Sequence, residues 1–161
     1  MVRDVSVPPM RNVRARLADL GIALPPTATP LAAYVPAVRA GRFVHTSGQL
    51  PTKDGEPVLV GRLGAGIDVE QGAEAARICV LNALAAIATV ADLDDVTRIV
   101  KVVGFVASDP SFTEQPAVVN GASRLLGEVF GSAGTHARSA VGVAVLPLGV
   151  PVEIEMVVEV R

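Results

Sequence analysis

The strongest constraint on this chain's fold lies near its C-terminus. There His136-Ala-Arg-Ser139 leads an apolar run to Val145, Leu146-Pro-Leu-Gly-Val150 interrupts it, and Val152-Glu-Ile-Glu155 follows. Side chains alternate along a strand, so Arg138, Ala140, Gly142 and Ala144 share one face of the first run, and Glu153, Glu155 and Glu159 share one face of the second. With Pro147 to Val150 as the turn, the pair predicts a β-hairpin in which Leu146 opposes Pro151 and Arg138 opposes Glu159. In that register the guanidinium, the small residues and the carboxylates line one hollow, the first candidate for a site. A slip of one residue would send the glutamates to the other side, so the prediction depends on the turn.

Composition narrows the class. A chain of 161 residues that is 50% hydrophobic but only 3% aromatic builds one domain around Val, Ala, Leu and Ile, which favours an α/β or α+β fold over repeats or disorder. A net charge of -2 and a pI of about 5.6 give no basic field for a nucleic-acid backbone or an anionic membrane. The single Cys79 excludes an internal disulfide, and without a CxxC or a Cys/His cluster there is no structural zinc signature. Its place within a helical stretch, at the border of the buried stripe, makes it inert core. The N-terminus lacks a long apolar h-region, and Gly, Pro or charge cuts every apolar run short of a membrane span. A cytoplasmic location is therefore expected.

In chain order, an extended tail to Pro9 precedes a short amphipathic helix, Met10 to Leu20, with Met10, Val13, Leu17 and Leu20 at helical spacing. Leu24 to Pro30 is a proline-rich linker. Leu31 to Val38 and Arg42 to Ser47 predict a hairpin that ends at Thr46-Ser-Gly-Gln-Leu-Pro51, a bend that leaves backbone groups open to a ligand. Lys53 to Pro57 is turn chemistry, Val58 to Val60 a short edge strand, and the Gly61 to Gly66 loop lacks the GK[ST] of a phosphate-binding loop. Asp68 caps a helix to about Ala91 whose buried stripe is Val69, Ala73, Ala76, Val80, Leu84 and Ile87. Val96 to Ala107 is a central strand, and Glu114 to Phe130 a second long helix closed by Gly131.

The order is thus β-β-(β)-α-β-α-β-β after one extra helix. Two long helices cover only one face of such a sheet, while Val96 to Ala107 and Val150 to Val160 carry apolar residues on both. Self-association into a closed symmetric ring is the simplest way to bury the second face.

Four segments together carry a family resemblance: Phe43-Val-His-Thr-Ser-Gly-Gln-Leu-Pro51, Val119-Asn120, His136-Ala-Arg-Ser-Ala-Val-Gly-Val-Ala-Val-Leu-Pro147 and Val152-Glu-Ile-Glu155. In this order they resemble the Rid (YjgF) family over residues 31–161, with residues 1–30 as an N-terminal extension. The resemblance implies a chorismate-mutase-like α+β single domain, a mixed β-sheet with two long helices on one face. It also implies a homotrimer whose sheets form an inner barrel, with ligand clefts between subunits. The implied activity is hydrolysis of reactive enamine or imine intermediates to 2-oxo acids and ammonia, with no metal or organic cofactor. The implied partners are a small-molecule carboxylate substrate and further copies of the chain, while the charge balance disfavours a membrane or nucleic acid.

Position by position, the resemblance gives Arg138 the substrate carboxylate, a task suited to a planar, always-charged guanidinium. Glu153 falls on the residue that positions or activates water, and a carboxylate in a half-buried cleft can exchange protons near neutrality. Arg138 as a surface or interface ion pair, and Glu153 as the ionic partner of Arg138 or Lys101, are the structural alternatives. Ser47, Gly48 and Gln49 match a cleft-lining loop, Tyr34 an aromatic closing the pocket, Asn120 a helix residue near the site, and Ala140 a backbone N–H that helps hold the carboxylate. Ala32-Ala33 replaces a Gly-Pro usual before the tyrosine, and Ala140 replaces a common cysteine. The resemblance assigns no catalytic role to His45 or His136. Two other readings stay open: a non-catalytic binder of small carboxylates using the same cleft, and a ribonuclease, which the acidic pI disfavours.

Overall fold

The sheet grows outward from one long strand in the computed structural model, which describes residues 12–29 and 33–161. That strand, Val96–Ala107, is the one the apolar run predicts. In chain order the principal elements are α1 (Val13–Asp19), β1 (Ala37–Ala40), β2 (Phe43–Thr46), α2 (Val69–Ile87), β3 (Val96–Ala107), α3 (Gln115–Phe130), β4 (Ala137–Val143) and β5 (Val152–Val160). The five strands form one mixed sheet in the order β1-β2-β5-β3-β4. β4 runs parallel to β3, with Val102 beside Arg138 and Gly104 beside Ala140, whereas β5 runs antiparallel along the other edge of β3.

The C-terminal hairpin expected from the sequence does not form. β3 lies between β4 and β5, so Arg138 has no register with Glu159, which pairs instead with Phe43 and Arg98. Parallel strands need a crossover, and α3 supplies it by carrying the chain back to the start of β3 before β4 begins. The Leu146 to Pro151 segment then passes the end of β3 instead of turning back on β4. Leu148 and Gly149 there adopt positive φ, 58° and 71°.

Helices α2 and α3 cover one face of the sheet. Ile99, Val102 and Val106 of β3 and Ile154, Met156 and Val158 of β5 are buried with Val80, Leu84, Ile87, Val118, Ala122 and Leu125 of the helices. Their close approach depends on glycine, because a Cβ on Gly121 would run into the Ala73 backbone carbonyl. The Asp68 cap holds as expected: its carboxylate accepts from the Gln71 N–H at 2.8 Å, and the Gln71 side chain accepts from the Asp68 N–H at 3.0 Å. α2 ends at Ile87, short of the expected Ala91, and the chain leaves it through turns.

The N-terminal helix belongs to the same core. Val13 and Leu17 are buried, the Arg16 Nε donates to the Glu128 carbonyl at 2.9 Å, and Arg14 pairs with Asp92 at 3.3 Å. Met10, part of the expected stripe, lies outside the described residues, as do Leu31 and Ala32. The first strand starts at Ala37, six residues after the expected start. Val58 to Val60 is not a strand: Val58 and Val60 are exposed, and the short antiparallel pair is Thr52–Lys53 with Glu56–Pro57. Strand-forming side chains alone do not supply the backbone partner that a strand requires. The Gly61 to Gly66 loop buries Leu63 against the core. Among the described residues, no helix is long and apolar enough to cross a membrane.

The opposite sheet face is open and carries Glu153, Glu155 and Val157 of β5, Lys101, Val103 and Phe105 of β3, and Ser139 and Val141 of β4.

Candidate functional site

Two groups of side chains, on opposite faces of the sheet, contain the residues that the sequence singles out. The first is built on edge strand β4. Its register with β3 aims Arg138 toward α3, where Nη1 donates to Asn120 Oδ1 at 2.8 Å and to Ser123 Oγ at 3.1 Å, and Nη2 donates to the Pro116 carbonyl at 3.3 Å. A guanidinium has five N–H donors. These three bonds leave Nε–H and one Nη2–H with no acceptor among the described residues. Ala140 lies two residues along the same face, beside Gly104. The single hollow containing Arg138 and the glutamates is therefore corrected: the arginine faces the helices and the glutamates face away from them.

Ser123 and His136 extend the arginine's supports. His136 Nδ1 lies 2.6 Å from the Gly134 carbonyl, which can only accept, so the neutral ring carries its proton on Nδ1. Nε2 is then the acceptor for the Ser123 hydroxyl at 2.9 Å. The sequence reading missed Ser123. Its signal was available, since it follows Asn120 by three residues and shares its helix face.

The second group surrounds Gly48. Gln49 and Ile154 exchange backbone hydrogen bonds at 2.7 and 3.0 Å, which brings the Thr46 to Leu50 bend against β5. Glu153 then lies so close to Gly48 that a Cβ there would strike its carboxylate. Burial, and then the neighbouring charge of Glu155, push the Glu153 carboxyl above its ordinary range. Among the described residues Glu153 has no ion-pair partner: Lys101 donates to Ser139 Oγ at 3.2 Å, and Arg138 is turned to α3. Behind the sheet, burial and then the Glu153 charge raise the pKa of the Cys79 thiol, in keeping with an inert core residue.

The other expected site residues divide between lining and support. Tyr34, 48% exposed, lines a cavity of about 420 Å³ with Gly48, Gln49, Leu50 and Asn82. Ser47 Oγ donates to the Val35 carbonyl at 2.7 Å, and the buried Gln49 side chain donates to the Ser47 carbonyl at 3.2 Å. Both side chains shape the bend. His45 is exposed on β2, opposite Val157 on the open sheet face. Among the described residues, no cluster of three or more His, Cys, Asp or Glu could hold a metal ion.

A mixed sheet backed by two helices on one face, with an edge arginine braced by one of those helices, defines an α+β protein of the chorismate-mutase-like class. The model of the family described as "YjgF/chorismate mutase-like, putative endoribonuclease" matches residues 14–160, and the chain belongs to that family. It is 48% identical over 159 residues to protein TCP17 of Trypanosoma cruzi, covering 98% of this chain and 99% of that one. A crystal structure named "a putative endoribonuclease" from Shewanella oneidensis superposes with a TM-score of 0.88 at 34% identity, covering 92% of this chain and 99% of that one. TdcF of E. coli, solved with bound serine, superposes with a TM-score of 0.59 at 29% identity, covering 86% and 94%.

Proposed function

We propose that the protein hydrolyses enamine and imine derivatives of 2-amino acids to 2-oxo acids and ammonia, in a cleft that two copies of the chain build together. The observation that carries this reading is the state of Arg138: three hydrogen bonds to α3 fix its plane, and two N–H groups stay free for a carboxylate. The amino acid bound in TdcF, a related protein, carries such a carboxylate. Within one chain β3 separates Arg138 from Glu153, so the two serve one substrate only when the β4 edge of one copy meets the Tyr34, Gly48 and Glu153 group of the next. The apolar side chains on the open sheet face, Val103, Phe105, Val141 and Val157, favour that assembly, and a closed homotrimer with the sheets turned inward is the form we expect.

In this cleft Arg138 and the Ala140 N–H hold the substrate carboxylate, which places the imine carbon near Glu153. The ionised Glu153 accepts a proton from water as the water oxygen bonds to the imine carbon and the C=N electron pair moves to nitrogen. The proton held by Glu153 then passes to that nitrogen. Glu153 then takes the hydroxyl proton of the carbinolamine and delivers it to the nitrogen, the C=O bond forms as the C–N bond breaks, and ammonia leaves. A raised Glu153 pKa suits a group that must both take and return a proton. A ribonuclease reading, which the relatives' names carry, fits less well with a pI of about 5.6 and net charge -2.

The test is release of ammonia and 2-oxo acid from enamines generated in situ, with Arg138→Ala as the control. Equal rates for the two proteins reject the assignment. Binding of 2-oxo acids that depends on Arg138, without faster imine loss, would instead identify a non-catalytic carboxylate binder.

A further inference from the structure

Resting on the cleft just proposed, we infer that the cavity walled by the N-terminal linker is its side-chain pocket and selects imines with large uncharged side chains. The linker segment Pro25 to Thr29 forms one wall of the 420 Å³ cavity. Thr27 fixes that wall by donating from Oγ1 to the Ala85 carbonyl of α2 at 3.3 Å. Asn82, 4% exposed on the same helix, fixes the opposite wall through Nδ2, which donates to the Leu50 carbonyl at 2.9 Å and the Thr52 carbonyl at 3.1 Å. Gly48 belongs both to the cavity lining and to the contact with Glu153, so a single residue of backbone separates the cavity from that carboxylate.

Size and polarity indicate the occupant. The cavity falls within the range of about 300–1,000 Å³ usual for small-molecule pockets. The side chain of an alanine-derived imine is one methyl group, roughly the size of a single water at ~30 Å³, and leaves most of that volume unfilled. Pro25, Pro26 and Pro36 in the lining have no backbone N–H to offer. Asp54 is the one charged residue among the described lining, and no basic residue accompanies it. An aliphatic or aromatic side chain therefore suits the pocket, and an acidic one is repelled.

The test compares kcat/KM for imines generated from leucine, phenylalanine, alanine and glutamate, in the native chain and in Ala28→Phe. Ala28 is exposed on the linker wall, so the larger ring enters the cavity without disturbing the core. We expect the leucine and phenylalanine imines to be preferred over alanine by about tenfold or more, the scale on which apolar pockets discriminate. Ala28→Phe should remove that preference by lowering kcat/KM for the leucine and phenylalanine imines about tenfold more than for the alanine imine. A preference for the alanine imine, or an equal effect of Ala28→Phe on all substrates, overturns the inference and leaves the proposed reaction standing. If no imine is turned over, the reaction falls, and calorimetric titration decides the pocket separately. Tighter binding of 4-methyl-2-oxopentanoate than pyruvate, lost in Ala28→Phe, supports it, and equal affinities refute it.

Discussion

The Ser123 hydroxyl lies 2.9 Å from Nε2 of His136. The same oxygen accepts from Arg138 Nη1 at 3.1 Å, so one hydroxyl joins an imidazole of fixed tautomer to the guanidinium that we propose grips the substrate. Ser123→Ala removes one of three ties on Arg138 and leaves the others in place. Because Arg138 would hold ground state and transition state alike, a looser arginine should raise KM by about 2- to 10-fold, the worth of one hydrogen bond, with kcat little changed. Mere loss of folded protein would lower kcat and spare KM, and Ser123→Ala should be silent in an Arg138→Ala background. Steady-state kinetics of the two variants and their combination distinguish these outcomes.

Glu153→Gln should separate stability from activity. Burial and the Glu155 charge raise the Glu153 pKa in the folded chain, so the folded state binds that proton more tightly than the unfolded state does. Stability from this group is therefore present in acid and declines as pH rises from the unfolded carboxylate range through the folded value, above which its charge is a cost. The glutamine variant should melt higher than native at pH 7, and the gain should disappear in acid. Ammonia release should fall by about 10²- to 10⁴-fold. A lower melting temperature at neutral pH would contradict this account of Glu153.

Two glycines on α3 should respond oppositely to alanine. At Gly121 the new Cβ meets the Ala73 carbonyl, and backbone cannot swing aside as a side chain tip can. Overpacking of this kind costs about 1–3 kcal/mol, or ~2–10 °C in Tm for a domain of this size. At Gly127 nothing lies within 4 Å of the added carbon, so helix propensity alone should act and stabilise by about 0.5–1 kcal/mol. Thermal melts of both variants test the α2–α3 contact directly.

Val141→Glu tests the proposed assembly. Val141 is 44% exposed beside Phe105 on the open sheet face, away from Arg138. Three copies of a new charge brought together on that face should shift the trimer to monomer in sedimentation velocity. Imine hydrolysis should fall with it while the Tm of the isolated chain changes little. An unchanged sedimentation coefficient would remove this face from the interface.

Local chemistry was legible along much of the chain. The Asp68 cap, the twelve residues of β3, the long α3 helix and its closure at Gly131 all follow from spacing within a few turns of backbone. Motif order likewise pointed to Arg138, Asn120, Gly48 and Glu153. Alternation correctly put Arg138 with Ala140, and Glu153 with Glu155, because period two is a property of a single strand.

Which strands become neighbours is not a property of a single strand. β4 and β5 are close in sequence and joined by a turn-like segment, yet the apolar edges of β3 take both, with α3 supplying the return path for a parallel pairing. That nonlocal choice turned Arg138 toward Asn120 and Ser123 and left Glu153 on the other face beside Gly48. Sequence thus determined the chemical groups and the face each shares within its strand, and only the tertiary pairing decided that they stand as two separate groups on opposite faces, because strand order is set by burying β3 on both edges.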